Sequence, residues 1–510
     1  MNWKRRLIAA MTKSKYKSFL VDTCNPEKAR DRLWTKEILP LMQQSTYWPP
    51  LLKGKQSLAL DDFPITTYEE YQADLLAALS SQIQPFNGEQ LIFWSETSGT
   101  SGVRKFFPIT ASFQKQFQRT MPPYIYTLTQ RFKNLFKEEL LYLVAVNTNK
   151  TTPAGIPSGW ISNFNYRNLP AFIKRFYAMP DEVFANDEVY EQWSPLYALA
   201  CDLSAVFAVT PMVIDAFYDR CVGRFNEFLP YLSGEKPVPE GLPPIKISKE
   251  RLVYLKSLAN SSSLTFNQLW PSLELAGCWT SGLCEYPAQQ LKKRMGDKIS
   301  LVDGTYSATE GWLTVPLESG GVLGGILHPG AHIVEFIEEG LDIDKSNLIQ
   351  CWELEVGKKY EVFLTTAMGF VRYQLKDIVT CTGYLNNAPR LVFCYKTQLL
   401  KLETCAVSGQ ELQAMLSATD FTMAPHWYFA RNNSGNRIVL VTDDTVKIPE
   451  SIVEQLHQQL VEISPTYTHG VGTGEIVPMI LLQLPMNELL VDAHAQTKPK
   501  LISQQVIAEL

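Results

Sequence analysis

The chain has 510 residues, of which 45% are apolar and 19% are charged. At roughly 150 residues per domain this length predicts two to four domains, and the composition excludes a disordered chain, a collagen and a coiled-coil rod. The formal net charge of −5 argues against a general nucleic-acid binder, which would carry a basic balance or a basic stripe.

The first 90 residues favour helices. Helices are predicted over residues 28–44 and 67–79, the second of which follows a threonine and has Glu69 and Glu70 in its first turn. The N-terminus starts basic, but its apolar run at residues 7–11 is too short for a secretory signal and is followed by lysines. We therefore expect an opening helix with a solvated basic face.

Short apolar runs in the middle of the chain predict buried strands at residues 91–94, 140–146, 273–279 and 299–302. Helical stretches alternate with these runs, which predicts an α/β domain with a largely parallel sheet. The longest of the runs is far too short to span a membrane. From about residue 320 the pattern changes to strands and turns.

The last part of the chain predicts a separate small module. Residues 427–431 and 437–442 flank a turn and predict a hairpin, Pro449 and Glu450 begin a helix, and residues 476–484 form an apolar strand. The predicted fold is therefore α/β, with a large N-terminal domain of β-sheets flanked by helices (residues 1–394) and a small α+β C-terminal domain (residues 395–510).

Cysteine and histidine spacing gives no metal or disulfide pattern. The nine cysteines are odd in number and none has CxxC spacing, which indicates reduced thiols in a cytoplasmic protein, and we expect no membrane partner. His328 and His332 lie four residues apart, but Pro329 and Gly330 between them argue against a helix that presents both to a metal.

The most informative segment is LIFWSETSGTSGVRKFFPIT at residues 91–110. Hydroxyl and glycine residues leave an apolar strand and end at Arg104 and Lys105, so many O–H and N–H donors and a cation can face one anion. This favours a polyphosphate site over a flexible surface loop. The Walker pattern fails because residue 104 is arginine, and GxGxxG is absent, so neither a P-loop NTPase nor a Rossmann dehydrogenase is predicted.

Two later segments carry polar residues at strand ends. After a strand that ends at residues 303–304, a loop offers an aromatic ring, hydroxyls and Glu310. This loop suits either a nucleobase and Mg²⁺ or a plain connection with a solvated carboxylate. In residues 369–384, Asp377 interrupts an alternating strand pattern. It either binds ribose hydroxyls, or is a turn residue or the partner of Arg372.

In this order the three segments resemble the acyl-adenylate-forming superfamily, and most closely its GH3 acyl-acid amido synthetase family. The first is similar to the loop (S/T)SGT(S/T)G…K, the second to Y-x-x-(S/T)-E and the third to GLYRYRxGD. The matching residues are Thr97, Ser98, Gly99, Thr100, Ser101, Gly102 and Lys105, then Tyr306, Thr309 and Glu310, then Gly369, Phe370, Arg372, Tyr373 and Asp377.

The resemblance implies ATP and Mg²⁺ as cofactors and two steps, in which a small-molecule carboxylic acid is adenylated and then transferred to an amine or amino acid. It implies catalytic roles for Lys105, Glu310 and Lys498, with Glu310 also on the metal. The nucleotide-binding residues that it implies, with Asp377 on the ribose, are Thr97, Ser98, Gly99, Thr100, Ser101, Thr280, Ser281, Tyr306, Ser307, Thr309, Arg372 and Asp377.

The chain departs from the family pattern in two places. Lys376 stands where Arg-x-Gly-Asp has glycine, and Lys396 stands where the hinge pattern Phe-x-x-Arg has arginine. These departures keep open an acyl-CoA ligase or other adenylate-forming ligase, and a nucleotide-binding protein that has lost the second half-reaction.

Overall fold

The computed structural model describes residues 2–508 except 53–57, 98–103, 147–149, 260, 262, 319–322, 420, 422–425, 446, 486–488 and 490–499. Its α-helices, in chain order, are α1 (Trp3–Cys24), α2 (Pro26–Leu33), α3 (Leu39–Gln44), α4 (Pro49–Leu52), α5 (Tyr68–Ala78), α6 (Ala111–Phe117), α7 (Met121–Arg131), α8 (Ile161–Arg167), α9 (Ala171–Lys174), α10 (Asp187–Ala200), α11 (Pro211–Gly223), α12 (Phe225–Leu232), α13 (Lys249–Ser257), α14 (Phe266–Leu269), α15 (Glu285–Met295), α16 (Gly409–Ser417), α17 (Glu450–Ile463) and α18 (Pro465–Gly472).

Its strands, in chain order, are β1 (Leu91–Thr97), β2 (Lys105–Thr110), β3 (Glu139–Tyr142), β4 (Lys150–Thr151), β5 (Pro157–Gly159), β6 (Leu203–Phe207), β7 (Leu275–Cys278), β8 (Ser300–Asp303), β9 (Ser307–Ala308), β10 (Gly311–Trp312), β11 (Thr314–Val315), β12 (Gly325–Leu327), β13 (Ile333–Glu338), β14 (Ile349–Gln350), β15 (Lys359–Thr365), β16 (Tyr373–Leu385), β17 (Ala388–Lys396), β18 (Leu399–Lys401), β19 (Ala406–Ser408), β20 (Trp427–Asn432), β21 (Ile438–Asp443), β22 (Ile480–Leu484) and β23 (Ile502–Ile507).

The N-terminal helices begin at residues that satisfy free backbone groups. The Asn2 side chain accepts a hydrogen bond from the Arg5 N–H at the start of α1, and proline opens α2. Thr67 and Glu70 form a capping box on α5. The helix predicted over residues 28–44 is confirmed as α2 and α3, which a π-helical turn joins, and the helix predicted over residues 67–79 is confirmed as α5.

A parallel four-stranded sheet, in the order β3-β6-β7-β8, forms the centre of the large body. Successive residues of its strands face opposite sides. Leu141 and Val206 pack with residues of α10, α11 and α15, whereas Leu140 and Ala205 pack with residues of α1 and α7. Three of the four strands predicted from apolar runs lie in this helix-covered sheet, which confirms the α/β interpretation.

The fourth predicted strand, β1, lies in a different sheet. It pairs antiparallel with β2 and parallel with β5, in the order β2-β1-β5-β4. A third sheet has seven antiparallel strands in the order β11-β12-β17-β16-β15-β13-β14. One hydrophobic cluster joins α5, β2 and this large sheet through Tyr71, Phe107, Leu364 and Tyr373.

The C-terminal part is built on a four-stranded sheet in the order β22-β21-β20-β23, with α16 to α18 beside it. The predicted hairpin is confirmed as β20 and β21, and the predicted helix at residue 450 as α17. β17 belongs to the large sheet and ends at Lys396, and β18 begins at Leu399. The predicted boundary between residues 394 and 395 therefore falls inside β17, just before the chain leaves the large sheet.

Within the part of the chain that the structure describes, no helix combines the length and the apolar composition that crossing a membrane would require.

Candidate active site

A cavity of about 300 Å³ opens where the large body meets the C-terminal part. Its walls come from the facing ends of β1 and β2, the loops after β7 and β8, the hairpin β9–β10 and the strands β16 and β17, with residues 500–502 from the C-terminal part. Segments far apart in sequence therefore converge on one space. The predicted site residues that line it are Thr97, Lys105, Ser281, Tyr306, Ser307, Thr309, Glu310 and Asp377.

The ends of the predicted phosphate loop meet at this cavity. β1 and β2 pair so that Thr97 lies opposite Lys105, and both residues line the cavity. Five of the predicted residues, Ser98, Gly99, Thr100, Ser101 and Gly102, belong to residues 98–103, which lie outside the described residues. The residues on both sides of the loop thus share a cavity with Asp377, as the sequence hypothesis requires.

Lys105 brings a cation into the cavity from the start of β2. Its ammonium lies 4.6 Å from the centroid of the Tyr68 ring, at a distance where a cation–π contact stabilises the charge. Burial lowers the pKa of Lys105, the carboxylates of Glu310 and Glu69 oppose this, and Lys376 adds to the lowering. The ammonium is therefore partly desolvated, which strengthens its attraction for an incoming anion.

Glu310 stands at the tip of the hairpin formed by β9 and β10. Burial raises the pKa of Glu310, and the neighbouring ammonium of Lys396 opposes that rise. Binding of a cation favours the charged form of a partly desolvated carboxylate that lines a cavity. Glu310 therefore fits the predicted role of a single protein ligand to Mg²⁺, whose other ligands would be phosphate oxygens and water.

His332 supports this hairpin from behind. Its Nε2 accepts a hydrogen bond from the Trp312 N–H at 3.2 Å, and its Nδ1 lies 3.1 Å from the Gln116 Oε1, to which it donates. Burial lowers the pKa of His332 to about 3, as it does that of His328. The imidazole is therefore neutral. Neither histidine belongs to a metal cluster, because the described residues contain no group of three His, Cys, Asp or Glu side chains that could hold a metal.

Asp377 is 3% exposed and has two protein donors. The Tyr306 hydroxyl donates to its Oδ2 at 2.8 Å, and the Lys396 ammonium donates to its Oδ1. A carboxylate has about four acceptor positions, so Asp377 can still accept a bond from a sugar hydroxyl. The alternative in which Asp377 is the partner of Arg372 is wrong, because Lys396 occupies that position.

Arg372 does not line the cavity. It is 3% exposed, and its guanidinium donates two hydrogen bonds to Glu335, at 2.9 and 2.8 Å, one to the Phe63 carbonyl at 3.1 Å and one to Asp61 at 2.6 Å. These contacts tie the start of β16 to β13 and to the N-terminal segment. Four of its five N–H donors are thus committed to protein acceptors, so the contacts of Arg372 are structural ones and not the predicted nucleotide contact.

The loop after β7 is held against the end of β8. Asp303 accepts hydrogen bonds from the Thr280 N–H at 3.0 Å and from the Gly324 N–H at 2.8 Å. Gly324 has φ +80°, and a Cβ there would collide with the Leu391 carbonyl, so this position requires glycine. Ser281 is thereby placed on the cavity wall, whereas Thr280 is 7% exposed and lies behind it.

Several lining residues were not predicted from the sequence. Tyr68 and Glu69 come from the first turn of α5, Trp279 from the loop after β7, Lys396 from the end of β17 and Lys500 from the C-terminal part. Lys498, the predicted C-terminal lysine, lies outside the described residues. For Lys396, Trp279 and Lys500 the resemblance had pointed to the segment, but for Tyr68 and Glu69 no local pattern marks a site.

The cavity is lined by charges of both signs, and four of the described lining residues are acidic: Glu69, Asp303, Glu310 and Asp377. The described lining includes four lysines, which are Lys105, Lys376, Lys396 and Lys500. Such a set of cations, together with Asp377 and the aromatic rings of Tyr306 and Trp279, matches the phosphates, sugar and base of a nucleotide. The residues present therefore fit ATP, with Glu310 positioned for its metal ion.

Comparison with solved structures shows which proteins share this fold. The chain superposes on a GH3.15 acyl acid amido synthetase, solved in complex with 2,4-DB, with a TM-score of 0.79 at 16% sequence identity. The match covers 97% of this chain and 94% of the other. The fold is thus that of an acyl acid amido synthetase.

The family follows from the sequence models. The GH3 family N-terminal domain matches residues 16–220 and the GH3 family central domain matches residues 325–396, which together are more than half of the chain. The chain therefore belongs to the GH3 family, as its three motifs had indicated.

Curated relatives are similar over most of their length. A probable indole-3-acetic acid-amido synthetase of Oryza sativa subsp. japonica, GH3.11, is 24% identical over 437 residues, or 76% of this chain and 72% of the relative. The indole-3-acetic acid-amido synthetase GH3.4 of Arabidopsis thaliana is 21% identical over 478 residues, or 85% of this chain and 76% of the relative.

Proposed function

We propose that this protein is an ATP-dependent acyl-acid amido synthetase, which activates a carboxylic acid as an acyl-adenylate and transfers the acyl group to an amine. The observation that carries this is the single cavity in which both ends of the predicted phosphate loop, Thr97 and Lys105, meet Glu310 and Asp377. Family membership and the shared fold support the same reaction class.

In the first step the carboxylate of the acid attacks the α-phosphorus of ATP, and pyrophosphate leaves. Negative charge builds up on the phosphate oxygens, so donors and cations that are in place beforehand lower the barrier. Lys105 supplies a partly desolvated cation there, and Ser98, Thr100 and Ser101 remain the predicted hydroxyl donors. A bound Mg²⁺, held through Glu310, would neutralise charge on the phosphates.

The remaining residues of the site orient the nucleotide. Asp377 accepts hydrogen bonds from the ribose hydroxyls, and the hydroxyl of Tyr306 holds the Asp377 carboxylate in position at 2.8 Å. Trp279 and Ser281, on the wall formed by the loop after β7, contact the adenosine. This arrangement holds the α-phosphate where the acid can reach it.

In the second step the amine nitrogen attacks the acyl carbon, AMP leaves and an amide forms. An amino acid is the proposed acceptor class, because the curated relatives are named amido synthetases. Their names also place indole-3-acetic acid among the acids to test here. Residues 500–502 line the cavity from the C-terminal part, so that part can shield the adenylate from water.

The test is acid-dependent exchange of labelled pyrophosphate into ATP over a panel of aryl, indolyl and fatty acids, followed by amide formation with single amino acids. Lys105→Ala should lower the exchange rate by about 100-fold, the typical effect of removing one preorganised charge stabiliser. The matched control is Lys401→Ala, since Lys401 is an exposed lysine on β18 outside the cavity, and it should exchange normally.

The outcomes separate the related functions. Formation of a thioester with coenzyme A, without amide formation from any amine, would identify an acyl-CoA ligase. ATP binding with no exchange on any acid would identify a nucleotide-binding protein. Equal exchange by wild type and Lys105→Ala would reject the site.

A further inference from the structure

The backbone at Lys376 adopts a conformation that L-amino acids rarely take. Among the described residues, four that are not glycine have positive φ: Phe136, Arg372, Lys376 and Asn386. For Lys376 the φ angle is +60°, in the left-handed region that glycine enters freely and lysine does not.

A bulge between β15 and β16 imposes this conformation. Phe363 lies opposite Gln374 and Glu361 lies opposite Ile378, so three residues of β16 face one residue of β15. Glycine enters the left-handed region freely and is therefore the residue expected at such a position in a bulge. A glycine would satisfy the backbone here without strain, so the lysine has to be explained by its side chain.

The other three residues with positive φ have local reasons. Arg372 is fixed by its ion pair with Glu335, Phe136 is buried in the core, and Asn386 occupies the two-residue turn between β16 and β17, where asparagine is favoured. Lys376 has neither burial nor a turn to hold it, because 43% of its side chain is exposed. Strained backbone of this kind concentrates at functional sites.

The side chain of Lys376 is directed to the cavity. It is part of the lining, and its ammonium lies 3.9 Å from the Glu69 carboxylate, whose side chain is 61% exposed. So long and exposed an ion pair contributes little to stability, and another anion can easily replace Glu69 as the partner of Lys376. The positive charge of Lys376 also acts on Lys105, whose pKa is lowered by burial and further by repulsion from Lys376.

We propose that Lys376 is an anion-binding residue of this site, whose ammonium binds an anionic oxygen group of a reactant beside Lys105. The proposal rests on the proposed function for the identity of the reactants. Two reactants carry such a group, which are the phosphates of ATP that leave as pyrophosphate and the α-carboxylate of an acceptor amino acid. In either case Lys376 would release Glu69 when the anion arrives.

The variants separate the backbone from the charge. Lys376→Gly removes both the strain and the cation, Lys376→Met removes only the cation, and Lys376→Arg keeps a cation. We expect the glycine variant to unfold at a higher temperature than wild type, and both Lys376→Gly and Lys376→Met to bind the anion about tenfold more weakly, since a partly exposed charge-assisted hydrogen bond is worth about that factor. Lys376→Arg should bind nearly as wild type.

Two controls are available in the chain. Asn386→Gly changes a left-handed residue outside the cavity, and Lys401→Met removes an exposed lysine outside the cavity. Neither should change anion binding. The loss in Lys376→Met should shrink as ionic strength rises, because exposed charges are screened.

Binding of inorganic pyrophosphate and of ATP, measured by calorimetry, tests the phosphate source without any catalysis. The carboxylate source is tested by the KM of an amino acid against that of the amine lacking its carboxylate, because only the amino acid should be affected in Lys376→Met. If Lys376→Met matches wild type within about twofold in all four measurements, the proposal is overturned. If wild type binds pyrophosphate and Lys376→Met does not, but no acid supports exchange, the proposed function fails while the anion site stands.

Discussion

Substitutions in the buried ion pair of Arg372 and Glu335 test directly whether Arg372 has a structural role. Arg372→Met removes four hydrogen bonds and leaves the Glu335 carboxylate, which is 1% exposed, with the Gln350 side-chain amide at 3.2 Å as its donor among the described residues. Removing one partner of a buried ion pair costs about 3–5 kcal/mol because the other charge stays desolvated. We expect the free energy of unfolding in urea to fall by that amount.

Replacing both partners should cost less than replacing one. In the double variant Arg372→Met with Glu335→Met, no charge is left buried, so a large part of the loss should return. The control is Arg224→Met, which breaks the surface pair with Glu227, where the side chains are 26% and 53% exposed, and should cost less than about 1 kcal/mol.

The assay is urea unfolding followed by tryptophan fluorescence, with ATP binding measured by calorimetry on the folded variants. Because the contacts of Arg372 are structural, the folded Arg372→Met protein should bind ATP within about threefold of wild type. A variant of wild-type stability that binds ATP tenfold or more weakly would refute this assignment and restore Arg372 as a nucleotide ligand.

Two further predictions concern pH. Because burial raises the pKa of Glu310, the folded protein holds this proton longer than the unfolded chain, so wild-type stability falls as pH rises from the ordinary carboxyl range through the folded pKa. Glu310→Gln should therefore be more stable than wild type at pH 7, equal to it at low pH, and should gain less additional stability than wild type when Mg²⁺ is added to ATP; unchanged stability at both pH values would contradict this. Burial lowers the pKa of His332 from 6.5 to about 3, so the unfolded chain takes up the proton first and stability is lost as pH falls below 6.5. His332→Gln should show a shallower loss in urea midpoint between pH 7 and pH 4 than wild type, and an identical slope would reject a buried neutral imidazole.

Local patterns predicted several of the elements and named candidate site residues. Short apolar runs predicted β3, β7 and β8, and turn residues predicted the hairpin of β20 and β21. The stretch of hydroxyl and glycine residues predicted a phosphate site at Thr97 and Lys105, because its O–H and N–H donors and the lysine can face one anion. The strand pattern singled out Asp377, because a carboxylate in the middle of an apolar strand has to be satisfied by something, but its predicted ribose role came from the resemblance.

Other features depend on contacts that no local pattern contains. The alternation of apolar and polar residues over 371–376 puts Arg372 on the polar face, yet it is buried because Asp61 and Glu335, which are 311 and 37 residues away in sequence, complete its hydrogen bonds. Tyr68 and Glu69 look like an ordinary helix start, and only the packing of α5 against β2 brings them to the cavity. The left-handed backbone at Lys376 follows from a bulge, and so from the register between two strands.

The arrangement of charges explains how one cavity can hold four lysines before its ligand binds. Lys396 is paired with Asp377, Lys376 with Glu69, and Lys105 feels the fields of Glu310 and Glu69. Three of the four lysines are thus compensated by carboxylates, which limits the desolvation cost of bringing them together. A nucleotide must therefore replace carboxylates as the partners of these lysines, and a metal ion on Glu310 would offset the charge that this exchange leaves behind. Under the proposed function, binding of the phosphates and binding of the metal ion should therefore be linked, because each offsets a change in charge that the other makes.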